Sequence, residues 1–336
     1  MRVSVVDAGS RTVRLVVADV KGGVPLPVHT AKWKLRLSER TEADGTIGDG
    51  ALEQMAEAVA GAGRTARLWK AEEPLAFGTA IVRNAPNRAE VLRFVRRETG
   101  IPMCTLSGET EAELTFLAAR RWLGWRAGPL VLLDIGGGSL EVAFGRGRLP
   151  EFAASLPLGA GRLTREFFHV EDAPAEAELR ALRRRVRHAL RDVAARIRWE
   201  RPTTAVLTSR TFQQLARLCG AAPGRQGPFS HRSMERRDLR EAIGVLAALP
   251  VDERAHLPGI TAPRAAQSLA GAVVGHTAMK VMGLREATVC PWAIREGVML
   301  RCIEDGPGWW TEIAQDSDAF AAQKDTLRLA AGPLAG

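Results

Sequence analysis

The sequence predicts an α/β protein built from two similar halves, and three observations carry that reading. At 336 residues the chain has room for two domains. An apolar run that ends in an acid, turns through small residues and then resumes occurs twice, over residues 3–20 and 130–144. Between and after these two units, short β-type runs alternate with segments of helical periodicity.

In order, residues 3–6 are apolar, Asp7-Ala-Gly-Ser10 turns, and residues 13–20 are apolar again. Residues 33–37 alternate and read as a third strand. Residues 52–59 have helical spacing, and 75–79 form a short buried strand with Arg83 in the loop after it. A helix over 86–98 opens on Pro86, which suits a first helical turn, and lines up Val91, Phe94 and Val95. After a strand at 103–106, Ser107 caps a helix with Glu109 and Glu111 in its first turn. The positive end of the helix dipole favours acids there. Residues 125–130, with Trp125, Gly128 and Pro129, read as a hinge.

The second strand-turn-strand is Leu130-Val-Leu-Leu-Asp-Ile-Gly-Gly-Gly-Ser-Leu-Glu-Val-Ala-Phe144. Gly136, Gly137 and Gly138 lack Cβ atoms, so they can adopt positive φ and let a ligand approach the backbone. Successive N–H groups in such a turn form an anion site. Asp134 enters the turn and Glu141 leaves it, which suggests a Mg²⁺ anchor, because Mg²⁺ takes oxygen ligands and shares them with phosphates. The bland alternative is a glycine hairpin with two solvated acids. Both acids and both strands together favour the phosphate site.

A strand at 151–158 follows, and Gly159-Ala-Gly161 leads into a helix through Leu163 and Phe167. A basic amphipathic helix spans about 176–198. Its stripe is Leu179, Leu182, Val186, Leu190, Val193 and Ile197, with Arg183, Arg184, Arg185, Arg187 and Arg191 over the rest. Such a face is more often solvated than binding. Then come a strand (203–207), a turn (208–211), a helix (212–218), a loop (223–228) and a helix (238–249). Arg264 precedes an apolar helix over 267–282, and a strand at 288–289 and a helix over 293–302 close the pattern. The expected division is an N-terminal domain over 1–125, completed by a helix near 293–304, a C-terminal domain over 126–292, and a loosely held tail over 305–336.

Hydrophobic residues at 46% and charged residues at 25% are ordinary for a globular protein, which argues against disorder. The net charge of +9 favours polyanionic partners, although an arginine-rich composition gives the same number. Cys104, Cys219, Cys290 and Cys302 form no C-x-x-C pair and no zinc spacing, so free thiols in a reducing, cytoplasmic setting are expected. The first apolar run is too short for a membrane span and is interrupted by Asp7 and Arg11.

Several motifs occur in one order over about 300 residues: Asp7-Ala-Gly-Ser10, Gly78-Thr79 with Arg83, Ser107-Gly-x-x-Glu111-Ala, Asp134-Ile-Gly-Gly-Gly-Ser-x-Glu141, Thr208-Ser-x-Thr211 and Arg295-Glu-Gly297. Together they resemble the exopolyphosphatase/guanosine pentaphosphate phosphohydrolase (Ppx/GppA) family. Leu156-Pro-Leu-Gly-Ala-Gly-Arg-Leu-Thr164 and Cys290-Pro-Trp-Ala-Ile-Arg-Glu-Gly297 resemble its short, two-domain members. The resemblance implies a duplicated actin-like, ribonuclease-H-like (ASKHA) fold with substrate in an interdomain cleft. It further implies Mg²⁺-dependent hydrolysis, with Mn²⁺ as the alternative metal, of the terminal phosphoanhydride of polyphosphate or of the 5′-phosphate of pppGpp. A homodimer is implied as well. Glu111 matches the catalytic glutamate that orients or deprotonates water, and Arg83 a family arginine near the phosphates. Asp7, Asp134 and Glu141 match the acids of the metal and phosphate loops. Gly9, Ser10, Arg11, Gly136, Gly137, Gly138, Ser139, Thr208, Ser209 and Arg264 would hold phosphoryl oxygens, arginine through its forked donors.

The chain departs from the family pattern at five places. Arg11 replaces an Asn, either adding a phosphate contact or filling the space of one. Gly78 stands for Ala, Thr110 for an acid and Ala266 for another acid, and Leu207 stands for a Gly, narrowing the loop around Thr208 and Ser209. Three other classes compete. An ATP-using enzyme of the same fold needs a glycine-rich adenosine turn that Leu207-Thr-Ser-Arg-Thr211 does not supply. A non-catalytic polyphosphate or alarmone-binding protein has no need of Glu111. Specific nucleic-acid binding lacks a reading module.

Overall fold

The computed structural model describes residues 1–35, 37, 40–42, 44–124, 127–168, 174–227 and 230–314. They group into two units: Met1–Ser107 with the described chain from Arg295 on, and Gly108–Ile294.

In the first unit, β1 (Arg2–Ala8), β2 (Thr12–Lys21) and β3 (Val24–Lys34) form an antiparallel meander. β4 (Leu75–Gly78) and β5 (Met103–Thr105) add parallel to β1, giving the order β3-β2-β1-β4-β5. Its helices are α1 (Asp49–Leu68), α2 (Ala80–Arg83) and α3 (Arg88–Thr99). Val6, Leu15, Val17, Leu52, Met55, Val59, Val91 and Val95 close one core between strands and helices. The third strand begins nine residues earlier than the sequence suggests. Pro25 and Pro27 obscure it, and its place at the sheet edge tolerates their missing N–H groups.

The second unit opens with α4 (Gly108–Leu123), directly after Ser107. β6 (Leu130–Ile135), β7 (Leu140–Gly145) and β8 (Phe152–Leu156) form its meander. α5 (Ala160–Phe167), α6 (Glu176–Ala189) and α7 (Arg191–Glu200) follow. β9 (Thr204–Thr208) pairs parallel with β6, and α8 (Ser209–Leu218) leaves it directly. β10 (Ser233–Glu235), α9 (Arg236–Ala248), α10 (Val251–Arg254), α11 (Ala265–Met282) and β11 (Glu286–Val289) complete the unit. The sheet order is β10-β11-β9-β6-β7-β8, so β8-β7-β6-β9-β11 repeats the order of the first unit and β10 is an added edge. α12 (Ile294–Asp305) returns to the first unit.

Four boundaries differ from the sequence reading. The expected division at 125/126 leaves α4 in the first half, yet α4 packs on β6, β7 and β8 and groups with the second. Phe116 lies against Gly145, and the Arg120 guanidinium donates to the carbonyls of Gly128 and Gly145 at 2.7 and 2.8 Å. The helix over 176–198 is interrupted at Leu190, after which Ala194 rather than Val193 carries the buried stripe. Thr208-Ser-Arg-Thr211 is not a turn, because α8 begins at Ser209. The expected tail from 305 includes a helical stretch at 308–314, where Trp310 is 8% exposed and meets Phe77 edge-on at 6.3 Å. Residue 36 of the expected third strand, Trp125 of the hinge, residue 228 of the expected loop and the tail from 315 lie outside the described residues.

Candidate functional site

The turn between β6 and β7 is closed by the Gly136 N–H donating to the Ser139 carbonyl at 2.9 Å. α5 backs it, with the N–H groups of Ala160 and Arg162 donating to the carbonyls of Gly136 and Gly137 at 3.0 and 2.9 Å. A Cβ at Gly159 would lie 2.2 Å from the Gly138 carbonyl carbon, so this glycine lets the helix seat against the loop. The N–H groups of Gly137, Gly138 and Ser139 make no hydrogen bond among the described residues. Neither Gly9 nor any of Gly136, Gly137 and Gly138 takes positive φ, so the expected left-handed backbone is not what these glycines supply. They serve by leaving the backbone uncovered.

Strand register builds a polar row beside this loop. Ser155 on β8 faces Glu141 on β7, Glu141 faces Asp134 on β6, and Asp134 faces Thr208 on β9. The Ser155 hydroxyl donates to Glu141 Oε1 at 3.0 Å and the Thr208 hydroxyl to Asp134 Oδ2 at 2.5 Å. Glu141 and Thr208 are buried. Burial lifts the Asp134 pKa to about 6, against the Thr208 hydrogen bond and the charge of Arg264. Two adjacent carboxylates and two hydroxyls form an all-oxygen donor set, the chemistry Mg²⁺ prefers, and a cation would offset the cost of holding both acids ionised. Among the described residues no three metal-ligating side chains cluster.

Glu111 lies in the first turn of α4 and is buried at 8% exposure. Its backbone carbonyl accepts the Thr115 hydroxyl at 2.7 Å. Ser209 begins α8 with a left-handed backbone (φ 81°), an uncommon conformation for a residue with a side chain. Arg264 sits just before α11, and its charge acts on Asp134.

The first unit repeats the loop with altered charges. Aligning Asp7 with Asp134 places Gly9 on Gly136, Thr12 on Ser139 and Arg14 on Glu141. The Gly9 N–H donates to the Thr12 carbonyl at 3.0 Å, the same closure. Asp7 faces Arg14 across the strands, and its Oδ2 lies 4.0 Å from Arg295 Nε. Burial raises the Asp7 pKa, opposed by the charges of Arg295 and Arg14. Two guanidiniums beside Asp7 make its surroundings poorer for a cation than the acid pair of the second unit. Ser10 and Arg11 form the tip of this loop, and the Arg11 carbonyl accepts the Leu35 N–H at 2.9 Å. Arg83 ends α2 rather than lying in a loop, and donates to the Leu106 carbonyl at 3.0 Å.

Within the second unit the structure therefore brings together Asp134, Glu141, Gly136, Gly137, Gly138, Ser139, Thr208 and Arg264. Asp7, Gly9, Ser10, Arg11 and Arg83 belong to the first. Leu207 does not narrow the Thr208 loop: its side chain is fully buried in the hydrophobic core. Sequence reasoning gave no role to Ser155, Gly159 or Arg295. Ser155 is recognisable only through strand register, whereas Gly159 and Arg295 lie in motifs quoted without a function.

The model of the Ppx/GppA phosphatase family matches residues 16–305. An uncharacterised protein of Streptomyces coelicolor is 68% identical over 98% of this chain and 99% of its own length. Exopolyphosphatase 1 of Mycobacterium leprae is 42% identical over 90% of each chain. A crystal structure of the Aquifex aeolicus member of the Ppx/GppA family aligns with a TM-score of 0.80 and 25% identity, covering 91% of this chain and 99% of that one. With the repeated strand order, these matches establish the actin-like α/β fold.

Proposed function

The chain belongs to the Ppx/GppA phosphatase family and is a phosphoanhydride hydrolase, and on that premise we propose that it is an exopolyphosphatase acting on the terminal phosphate of inorganic polyphosphate. Short chains are the favoured substrates by turnover number, since the chemistry needs only the terminal units. The observation that carries the reading is the second-unit loop, where three uncommitted N–H groups adjoin the paired acids Asp134 and Glu141.

Phosphoryl transfer asks a protein for position, charge neutralisation and an oriented nucleophile. The N–H groups of Gly137, Gly138 and Ser139 hold non-bridging oxygens, and Arg264 adds permanent positive charge. Gly9, Ser10 and Arg11 offer a second set of phosphate contacts, with Arg83 as a further cation. Asp134 and Glu141 would hold Mg²⁺, or Mn²⁺ in its place, which when bound supplies charge against the phosphoryl oxygens. Glu111 orients a water and accepts its proton. The water oxygen bonds to the terminal phosphorus as the bridging P–O bond breaks, and the shortened chain leaves with that electron pair.

Among the described residues all four cysteines are free and no helix is long and apolar enough to cross a membrane. Free thiols suit a reducing compartment, and we assign the chain to the cytoplasm. The test is phosphate release from tripolyphosphate, longer polyphosphate, pppGpp and ATP, each with Mg²⁺ or Mn²⁺. Fastest metal-dependent release from polyphosphate supports the proposal. Faster release from pppGpp makes the chain a pppGpp phosphohydrolase, and binding without release from any of them makes it a binding protein.

A further inference from the structure

A second group of basic residues lies on the second unit, away from the loop. α11 starts beside Arg264 and contains no acid. His276 and Lys280 stand one turn apart near its far end, roughly 20 Å from Arg264 at the rise of an α-helix. α6 and α9 both pack on α11. Arg183 on α6, Arg236 and Arg240 one turn apart on α9, and Lys280 all act on His276. His276 is half-buried, and burial with these four cations holds its pKa down at about 4. The neutral imidazole thus registers a positive field without adding to it.

The charges on α9 are sorted. Asp238 and Glu241 act on Cys219 at the end of α8, where burial and these two acids push the thiol up to about 12. Arg236 and Arg240 act on the α11 side. Arg240 and Lys280 are exposed and make no ion pair among the described residues. Arg183 shares Glu176 at 3.4 Å. Cations gathered from three helices with so little local acid attract a dense, flexible polyanion.

We infer that Arg183, Arg236, Arg240 and Lys280 form a docking surface for the distal phosphates of a polyphosphate chain whose terminal phosphate lies at the Asp134–Glu141 loop. The inference rests on the exopolyphosphatase reading. It makes affinity depend on chain length, since only a chain that spans the length of α11 reaches the surface.

The test is the double variant Arg240→Glu/Lys280→Glu, both positions being exposed. Phosphate release from tripolyphosphate and from long-chain polyphosphate is compared with wild type, and binding of fluorescently labelled long polyphosphate is titrated at several salt concentrations. The expected result is a KM for long chains raised about tenfold, a salt dependence of binding flattened by about two counterions, and tripolyphosphate kinetics unchanged. Unchanged long-chain KM and binding, with tripolyphosphate still hydrolysed, overturn the docking surface and leave the activity standing. If wild type releases no phosphate, the activity reading fails, and weaker polyphosphate binding by the variant still upholds the surface. Loss of single-stranded DNA binding without loss of polyphosphate binding assigns the patch to nucleic acid and overturns the inference.

Discussion

Replacing Gly159 by alanine tests how far the phosphate loop depends on the helix behind it. The added Cβ would lie 2.2 Å from the Gly138 carbonyl carbon, 2.3 Å from the Ser139 nitrogen and 2.4 Å from the Gly138 nitrogen. Ordinary van der Waals contact starts at 3.4 Å, and these neighbours are backbone atoms with no rotamer to escape into. Loop or helix must therefore yield by about 1 Å. The backbone at Gly159 (φ −68°, ψ 144°) suits alanine, so the whole cost is the collision. Overpacking of this kind destabilises by about 1–3 kcal/mol, and misplacing the reacting groups by about 1 Å lowers the rate by about 10²-fold. The assay is kcat for tripolyphosphate together with a thermal melt. Gly147→Ala is the control, because its added carbon meets nothing within 4 Å. Unchanged kcat and Tm in Gly159→Ala would refute the claim that α5 fixes the loop.

Two further outcomes follow from the acids. In metal-free protein, ionising the buried Asp134 costs stability as pH rises from about 4 through about 6, because the unfolded chain releases that proton more readily. The cost approaches about 3 kcal/mol at neutral pH, so Asp134→Asn, which still accepts the Thr208 hydroxyl, should melt higher than wild type at pH 7.5 and equally at pH 4. A difference independent of pH, or a lower Tm at pH 7.5, contradicts this. Arg295→Gln removes a cation that opposes the burial-driven rise of the Asp7 pKa, so the acidic limb of the pH–rate profile should move toward neutral pH, and Arg295→Lys should restore it. A profile that does not move separates Asp7 ionisation from turnover.

The fold was legible because its duplication is written locally. An acid, a glycine turn and two apolar strands recur at Asp7 and Asp134, and the two sheets repeat one strand order. Acids and glycines on a tight turn lie close in sequence, so the Asp134–Glu141 loop was readable. The hydrogen bond of Ser155 to Glu141 depends on the register of β8, and the contact of Gly159 with Gly138 depends on tertiary packing, neither of which has a local signature. α4 looked like the end of the first half because its partners Gly128 and Gly145 follow it in the chain. β3 was hidden by its prolines, which edge strands accept. The contrast between Arg14 and Glu141 was visible in the aligned loops, but only strand pairing shows that each faces its aspartate.

The most direct test of the central claim is Glu111→Gln, measured for phosphate release from tripolyphosphate with Mg²⁺ and, separately, for polyphosphate binding. Glutamine keeps the shape and the hydrogen-bonding reach but takes no proton at neutral pH. The account predicts release lowered by about 10²–10⁴-fold with binding and Tm preserved. Release at the wild-type rate would assign the proton to another group, and loss of binding together with release would make Glu111 a structural residue of α4 rather than the base.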